Sequence, residues 1–379
     1  MTKIRDIAFL GSMDLTNIDP ADPQHQRGWE RDRGAFVEGK LAAGLQFLDY
    51  TVRFDGHEVG MFGVGGVSTL PEYRNQGCIR ELFRRCFGEA LDKGMVFSWL
   101  YPFSHVYYRQ YGYELGNTQL QLEFPTELLG RFPRRGKLAM WRPGEDMAPF
   151  ARIYAQYAQG RNMSLVRDEA TWQHLFDFDP YRDHRYAYLY RDEAGEPAAY
   201  GIFQALRQGD EWLLQFLQVA YRSPEALAGM LGCLKSLNAQ IRRMQWAVDE
   251  PLLALFPEPY ALKVSMAWGG MNRVLNVQKA FELMALPATP GSAVLAVTDD
   301  FWPDNDGTYR LSWDGVGREI VRTEDQPEAV LDVRALAQLV TGYRSFADGV
   351  PGAALLRPEA LGTLNLLFPR KSVMISDHF

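Results

Sequence analysis

The residues with the most chemical content form one continuous stretch, Val67-Ser68-Thr69-Leu70-Pro71-Glu72-Tyr73-Arg74-Asn75-Gln76-Gly77-Cys78-Ile79-Arg80. A strand-like run ends there, a short loop with an Arg and a Gly follows, and a helical pattern begins. The first turn of a helix carries N–H groups without intrahelical partners, with the positive end of the helix dipole behind them. Such a turn attracts anions. Gly77 lets backbone approach a phosphate closely, and Arg74 and Arg80 add charge, so a pyrophosphate is the guest this loop would take. From the loop alone, a plain strand-to-helix connection with solvated arginines fits equally well. Cys78 has no His near it in sequence and starts an apolar helix face, which speaks against a nucleophile.

The surrounding elements must position that loop. Phe47 to Phe54 reads as a strand, Asp55-Gly56 as a hairpin turn, and Glu58 to Thr69 as a long second strand. Gly77 to Lys93 has apolar residues at Ile79, Leu82, Phe83, Cys86, Phe87, Ala90 and Leu91, an unbroken 3.6-residue stripe that predicts a helix. Met95 to Leu100 returns as a buried strand, and the aromatic turn Leu100-Tyr101-Pro102-Phe103-Ser104-His105-Val106-Tyr107-Tyr108-Arg109-Gln110-Tyr111-Gly112-Tyr113 follows. On their own, its tyrosines read better as a packed cluster than as chemistry. Ahead of this unit, Gln26 to Leu41 predicts a helix, while Asp14, Asp19, Asp22, Pro20 and Pro23 suggest a loop.

The middle of the chain echoes this order. Tyr186 to Tyr190, Ala198 to Ala205 and Trp212 to Tyr221 read as strands. Ser223-Pro224 has the chemistry of a helix start, the helix running to about Arg243, and Met244 to Val248 reads as a further strand. The connection Tyr221-Arg222-Ser223-Pro224 has no Gly and cannot cradle a pyrophosphate in the same way. Pro287 and Pro290 mark a linker. Short strands at Ala293 to Val297, Tyr309 to Ser312 and Glu319 to Val321, a helix from Val333 and an extended end from Ser372 to Phe379 follow.

Arg-x-x-Gly after a strand, followed by a helix, a strand and Tyr-x-x-Tyr-Gly-Tyr, resembles the acetyl-CoA site of the GCN5-related N-acetyltransferases (GNAT). The three-domain length and the terminal Phe379 look like the enhanced intracellular survival (Eis) family within them. That resemblance implies an α+β architecture of tandem GNAT folds, the second degenerate, plus a C-terminal sterol-carrier-protein-like domain. The expected spans are 1–130, 131–284 and 285–379. It implies acetyl-CoA as cosubstrate, with the backbone of Val67, Ser68 and Thr69 pairing with the pantetheine arm like an added strand. Arg74, Asn75, Gln76, Gly77, Cys78, Ile79 and Arg80 would hold the pyrophosphate, and Phe103 and Ser104 would touch the cofactor. Tyr108 would be the general acid that protonates the departing thiolate, since a phenol of pKa ~10 is still protonated near neutrality. The α-carboxylate of Phe379 would take a proton from the amine. Acetyl would pass directly to a primary amine, aminoglycoside-like, polyamine or lysine, in a homo-oligomer that is a hexamer by the same resemblance.

Two departures bear on this expectation. The loop reads Arg74-Asn75-Gln76 where relatives have consecutive arginines, and His378 precedes Phe379 where an acidic residue would help hold a polycation. The alternative is a non-catalytic acyl-CoA or lipid-binding carrier, which needs neither Tyr108 nor a free terminal carboxylate.

Composition bounds the rest. The chain has 379 residues, 47% apolar and 13% aromatic, which excludes disorder or a coiled coil as a description of the whole. With 40 basic and 47 acidic residues its net charge is −7, which argues against nucleic acid as the main partner. Three cysteines without C-x-x-C spacing point to a reducing compartment, and the start of the chain lacks the apolar core of a signal peptide. No apolar run is long enough to span a membrane, and the expected location is cytoplasmic. His25, His57, His174 and His184 have no metal spacing. The Asp299-Asp300…Asp304…Asp306 cluster reads as a solvated turn around Trp302 and Pro303, and no metal is expected.

Overall fold

In the computed structural model, the described residues are 30–248, 250–256, 258–375 and 377. The expected loop before Gln26, the start of the expected helix at 26–29, His25, His378 and Phe379 lie outside them. The chain divides into two compact units, one of residues 1–117, 160–165 and 270–379, the other of 118–159 and 166–269.

The first unit opens with strands β1 (Asp32–Val37), β2 (Lys40–Phe54) and β3 (His57–Thr69). The helix expected to reach Leu41 is therefore a correction: from Asp32 onward this stretch is a hairpin. Glu38 and Gly39 take φ of 49° and 77°, the turn whose twist matches that of paired strands. Arg33 on β1 reaches Glu89 with two hydrogen bonds of 2.6 and 2.9 Å, so its charge serves a tertiary contact and not a helix face. Helix α1 (Cys78–Asp92) follows the loop, then β4 (Phe97–Leu100), the short helix α2 (His105–Arg109) and β5 (Glu114–Leu115). Helix α1 buries Ile79, Leu82, Phe83, Cys86, Phe87 and Ala90. That is the stripe seen in the sequence, packed onto Ala43, Leu45, Phe47, Phe62 and Val64 of the sheet.

The second unit holds strands β6 (Thr118–Pro125), β7 (Lys137–Met140), β8 (Arg185–Arg191), β9 (Pro197–Gln208), β10 (Glu211–Tyr221), β11 (Ile241–Val248) and β12 (Lys263–Trp268). Its helices are α3 (Ala148–Ala158), α4 (Glu169–Leu175), α5 (Pro180–Asp183) and α6 (Pro224–Leu234). The helix expected to run to about Arg243 ends earlier: a 3-10 turn covers Lys235–Ala239, and β11 begins at Ile241. Sheet order is β12-β6-β11-β10-β9-β8-β7, with β10 and β11 parallel.

Back in the first unit, strand β13 (Met271–Val274) pairs with both β4 and β5, giving the order β1-β2-β3-β4-β13-β5 with β3 and β4 parallel. Helix α7 (Val277–Leu283), strands β14 (Gly291–Thr298), β15 (Gly307–Trp313), β16 (Arg318–Arg322), β17 (Ala329–Asp332) and β18 (Ala353–Leu355), and helices α8 (Val333–Thr341) and α9 (Leu361–Leu367) complete the chain. Residues 118–125 lie in the second sheet, and 271–274 lie in the first.

The first sheet is covered on both faces. Val52, Phe54, Val59, Met61, Phe97 and Trp99 face away from α1 and share one core with β14, β15, β17, α8 and α9. A buried polar latch ties this core together. Asn162 donates to Asp55 Oδ1 at 2.9 Å and to the Thr341 carbonyl at 3.0 Å, and accepts the Asp55 N–H at 2.8 Å. Asp55 also pairs with Lys371 Nζ at 2.5 Å. Backbone bonds from Asn162 to Ser372 and from Met374 to Asn162 pin the C-terminal segment alongside. Asn162→Ala leaves buried partners unpaired, each worth about 1–3 kcal/mol, so a loss of about 3 kcal/mol is expected. For a unit of this size that is a fall in Tm of roughly 6–10 °C, measurable by calorimetry.

Candidate acetyl-transfer site

Strands β3 and β4 run side by side from Met61 opposite Phe97 to Val64 opposite Leu100. Beyond that point β4 ends, while β3 continues to Thr69 with partners only on β2, Ser68 facing Gly44 and Thr69 facing Ala43. Gly66 at φ 57° takes up the irregularity in that pairing. The backbone of Ser68 and Thr69 is therefore paired by β2 on one side and left by β4 on the other, with Val67 in the bulge just before them. An extended chain with amide groups can add itself to such an edge.

The loop then tightens. Pro71–Tyr73 form a 3-10 turn, the Gln76 side-chain amide donates to the Glu72 carbonyl at 3.0 Å, and Asn75 and Gly77 take φ of 63° and 79°. Gly77 is the N-cap of α1 and offers no side-chain acceptor, so nothing from the cap residue satisfies the first N–H groups of this 15-residue helix. Arg74, Asn75, Gln76, Gly77 and Arg80 are exposed, Ile79 is buried and Cys78 is half-buried. The Arg80 guanidinium lies over the Phe301 ring at 5.1 Å. The second unit has the opposite arrangement: Ser223 caps α6 with its own hydroxyl, accepting the Ala226 N–H at 3.2 Å, with Pro224 next. One N–H of its first turn is already satisfied, the helix start that Ser223-Pro224 predicts.

The aromatic turn closes the other side. Ser104 caps α2 by accepting the Tyr107 N–H at 3.3 Å, and Phe103 is two-thirds exposed, with its ring 5.3 Å from that of Tyr108. Tyr107, Tyr108, Tyr111 and Tyr113 differ in what their hydroxyls do. Tyr113 is fully buried and shares a 2.6 Å hydrogen bond with Ser98 Oγ, and Tyr111 donates to Tyr107 at 3.3 Å. Tyr108 is 3% exposed, with its ring against Phe83, Phe103, Tyr107 and Tyr113. Among the described residues nothing hydrogen-bonds its hydroxyl. Burial pushes its pKa above the ordinary phenol value, with a smaller push from Tyr107. Val67, Cys78 and Tyr107 pack against the same apolar cluster that holds Tyr108, so strand edge, loop and turn converge. Burial raises the Cys86 thiol to about 12, which makes it a packing group.

The C-terminal segment reaches the same end of the sheet. Tyr101, the residue after β4, donates its hydroxyl to the Asp377 carbonyl at 2.9 Å.

Two residues of consequence escape the sequence reading. Arg273, on β13, and Asp299, after β14, are both fully buried and form a 2.5 Å ion pair. The reading of Asp299 to Asp306 as a solvated turn is corrected at Asp299, which also accepts the N–H groups of Phe301 and Trp302. A lone Arg inside the buried run Met-Asn-Arg-Val is the signal that was available, because a buried cation requires a partner. Among the described residues no group of acidic, His or Cys side chains is arranged to hold a metal ion.

Residues 3–116 and 164–274 each match a family model described as an acetyltransferase (GNAT) domain, and residues 277–376 match a sterol carrier protein domain. An uncharacterized N-acetyltransferase of Streptomyces avermitilis is 26% identical over 327 residues, covering 81% of this chain and 78% of its own. The crystal structure of a GCN5-related N-acetyltransferase from Anabaena variabilis superposes with a TM-score of 0.85 at 26% identity, over 100% of this chain and 96% of that one. Eis1 from Mycobacterium abscessus gives 0.80 at 19% identity over the same shares, which is a likeness of fold. The two matched acetyltransferase domains and the N-acetyltransferase relative make this an N-acetyltransferase of the GCN5-related class, and that class uses acetyl-CoA. Two acetyltransferase domains followed by a sterol carrier protein domain make up the chain, and its fold is like that of Eis1.

Proposed function

We propose that the chain moves acetyl from acetyl-CoA directly to a primary amine of a small molecule or peptide, with Tyr108 as general acid. The observation that carries this is the Tyr108 hydroxyl, which, alone among the five tyrosines from Tyr101 to Tyr113, has no partner among the described residues. The pantetheine amides add to the β3 edge at Val67–Thr69, and the pyrophosphate meets the N–H groups from Asn75 to Arg80, with Arg74 and Arg80 supplying charge. The amine nitrogen attacks the thioester carbonyl carbon, the carbon–sulfur bond breaks, and the Tyr108 proton passes to sulfur. The amine's surplus proton goes to the α-carboxylate of Phe379, the last residue of the sequence. The tie between Tyr101 and Asp377, two residues earlier, supports that assignment. Acceptors in view are aminoglycoside-like molecules, polyamines and lysine side chains, handled by a cytoplasmic homo-oligomer, a hexamer by family resemblance.

The test is thiol release from acetyl-CoA against a panel of amines, from aminoglycosides to lysine peptides. Amine-dependent release is expected, falling by about 10²-fold or more when residues are appended after Phe379. Unchanged release in the extended chain removes Phe379 from the mechanism and leaves Tyr108 standing. Acetyl-CoA binding without release to any amine supports the carrier alternative.

A further inference from the structure

Arg273 sits in the middle of β13, opposite Ser98 of β4, and its side chain is entirely enclosed. One nitrogen, Nη1, donates to the carbonyl of Tyr111 at 2.5 Å. The other, Nη2, donates to Asp299 Oδ2 at 2.5 Å. The guanidinium lies over the Phe87 ring at 4.8 Å and near the Phe301 ring at 5.8 Å. Its target is the turn that carries Tyr108. The Tyr108 carbonyl accepts the N–H of Tyr111 at 3.0 Å and of Tyr113 at 3.4 Å, so fixing the Tyr111 carbonyl fixes the backbone loop hung from Tyr108. Asp299 is itself held rigidly, accepting from Phe301 N, Trp302 N and Asn305 Nδ2 at 3.2, 3.0 and 2.9 Å. Those residues belong to the stretch that matches the sterol carrier protein model.

We propose that Arg273, anchored by Asp299, is a positioning residue for Tyr108, so that the sterol-carrier-like part of the chain forms one side of the mount that aims the acid. The proposal rests on the reading of Tyr108 as acid. Stability alone accounts poorly for such a pair, because the desolvation of two buried charges offsets much of their attraction and an apolar filling of equal volume is often as stable. What an apolar filling cannot supply is a planar fork with two directed N–H groups, one on the catalytic turn and one on its anchor.

The experiment is a cycle of Y108F, R273K and the two combined, read as kcat and acetyl-CoA affinity, with circular dichroism confirming the fold. A lysine keeps the charge and loses the fork. A displacement of the acid by about 1 Å can cost up to ~10²-fold in rate, so R273K should lose about tenfold or more in kcat with acetyl-CoA affinity little changed. In the Y108F background R273K should add nothing, since no acid is left to aim. R273K with wild-type kcat, or losses that multiply in the combined variant, overturns the proposal while Y108F still reports the acid. Wild-type turnover in Y108F overturns the acid assignment and this proposal together. Should R273K fail to fold, R273M/D299N removes both charges and keeps an oxygen for the amides of Phe301 and Trp302. A folded pair variant with wild-type kcat is equally decisive against the proposal.

Discussion

Tyr108→Phe is expected to lower kcat for amine-dependent thiol release by about 10²–10⁴-fold, the range a positioned general acid supplies. Acetyl-CoA affinity should stay within about threefold, because the change touches only the step in which charge develops on sulfur. Folding should survive. The ring contacts with Phe83, Phe103, Tyr107 and Tyr113 all remain, and the deleted hydroxyl satisfies no described donor or acceptor, so no group is left unpaired. The pH dependence follows from the direction of the shift. Burial raises the phenol above its ordinary value, and the protonated form is the competent one. Competence therefore holds as pH rises and is lost only above the raised pKa, which places any basic limb due to Tyr108 above about pH 10. Titration of kcat from pH 6 to 10 checks this. A variant with wild-type kcat sinks the assignment, and one that unfolds returns Tyr108 to the role of core filler.

The parts of this site legible in the sequence are those built by neighbours along the chain. The α1 stripe, the Asp55-Gly56 turn, the loop glycine and the Ser223-Pro224 helix start each encode their conformation within a few residues. All four are present in the structure. The failures arose where distant residues decide. Asp32 to Leu41 has enough charge to suggest an exposed helix, but Arg33 is drawn to Glu89, 56 positions away, and Glu38-Gly39 folds the stretch into a hairpin. Asp299 sits in an acidic cluster that looks solvated, until β13 brings Arg273 from 26 positions upstream. Charge is the residue property that local pattern reads worst, because whether a charge is solvated or paired depends on what packs over it. The same limit hid the mixed membership of the first sheet. The run Met271–Val274 is apolar apart from Asn272 and Arg273, and nothing in it says which sheet it completes.

Two glycines at left-handed backbone positions should respond oppositely to alanine, and the contrast separates binding from architecture. Gly77 has φ 79°, and a Cβ built there meets nothing within 4 Å among the described residues. Gly77→Ala therefore carries only the conformational strain of about 1–2 kcal/mol. Its chief effect should be on ligand approach, a tenfold or larger rise in the acetyl-CoA Kd, which corresponds to about 1.4 kcal/mol. Gly112 has φ 77°, but a Cβ there would lie 1.6 Å from Arg273 Nη1, 2.8 Å from its Cζ and 2.9 Å from Val333 Cγ1. The guanidinium has no room to yield, since it is held by Tyr111, Asp299 and the Phe87 ring. Moving it breaks a fully buried ion pair, which costs about 3–5 kcal/mol. Gly112→Ala is thus expected to lower Tm by about 6–20 °C, on a scale of about 2–4 °C per kcal/mol, and to abolish turnover through the Tyr108 mount. Thermal denaturation and an acetyl-CoA isotherm on both variants decide the matter. A stable Gly112→Ala protein would mean that the Arg273 contact is adjustable, and equal acetyl-CoA affinity in Gly77→Ala would mean that the phosphate groups bind elsewhere than the start of α1.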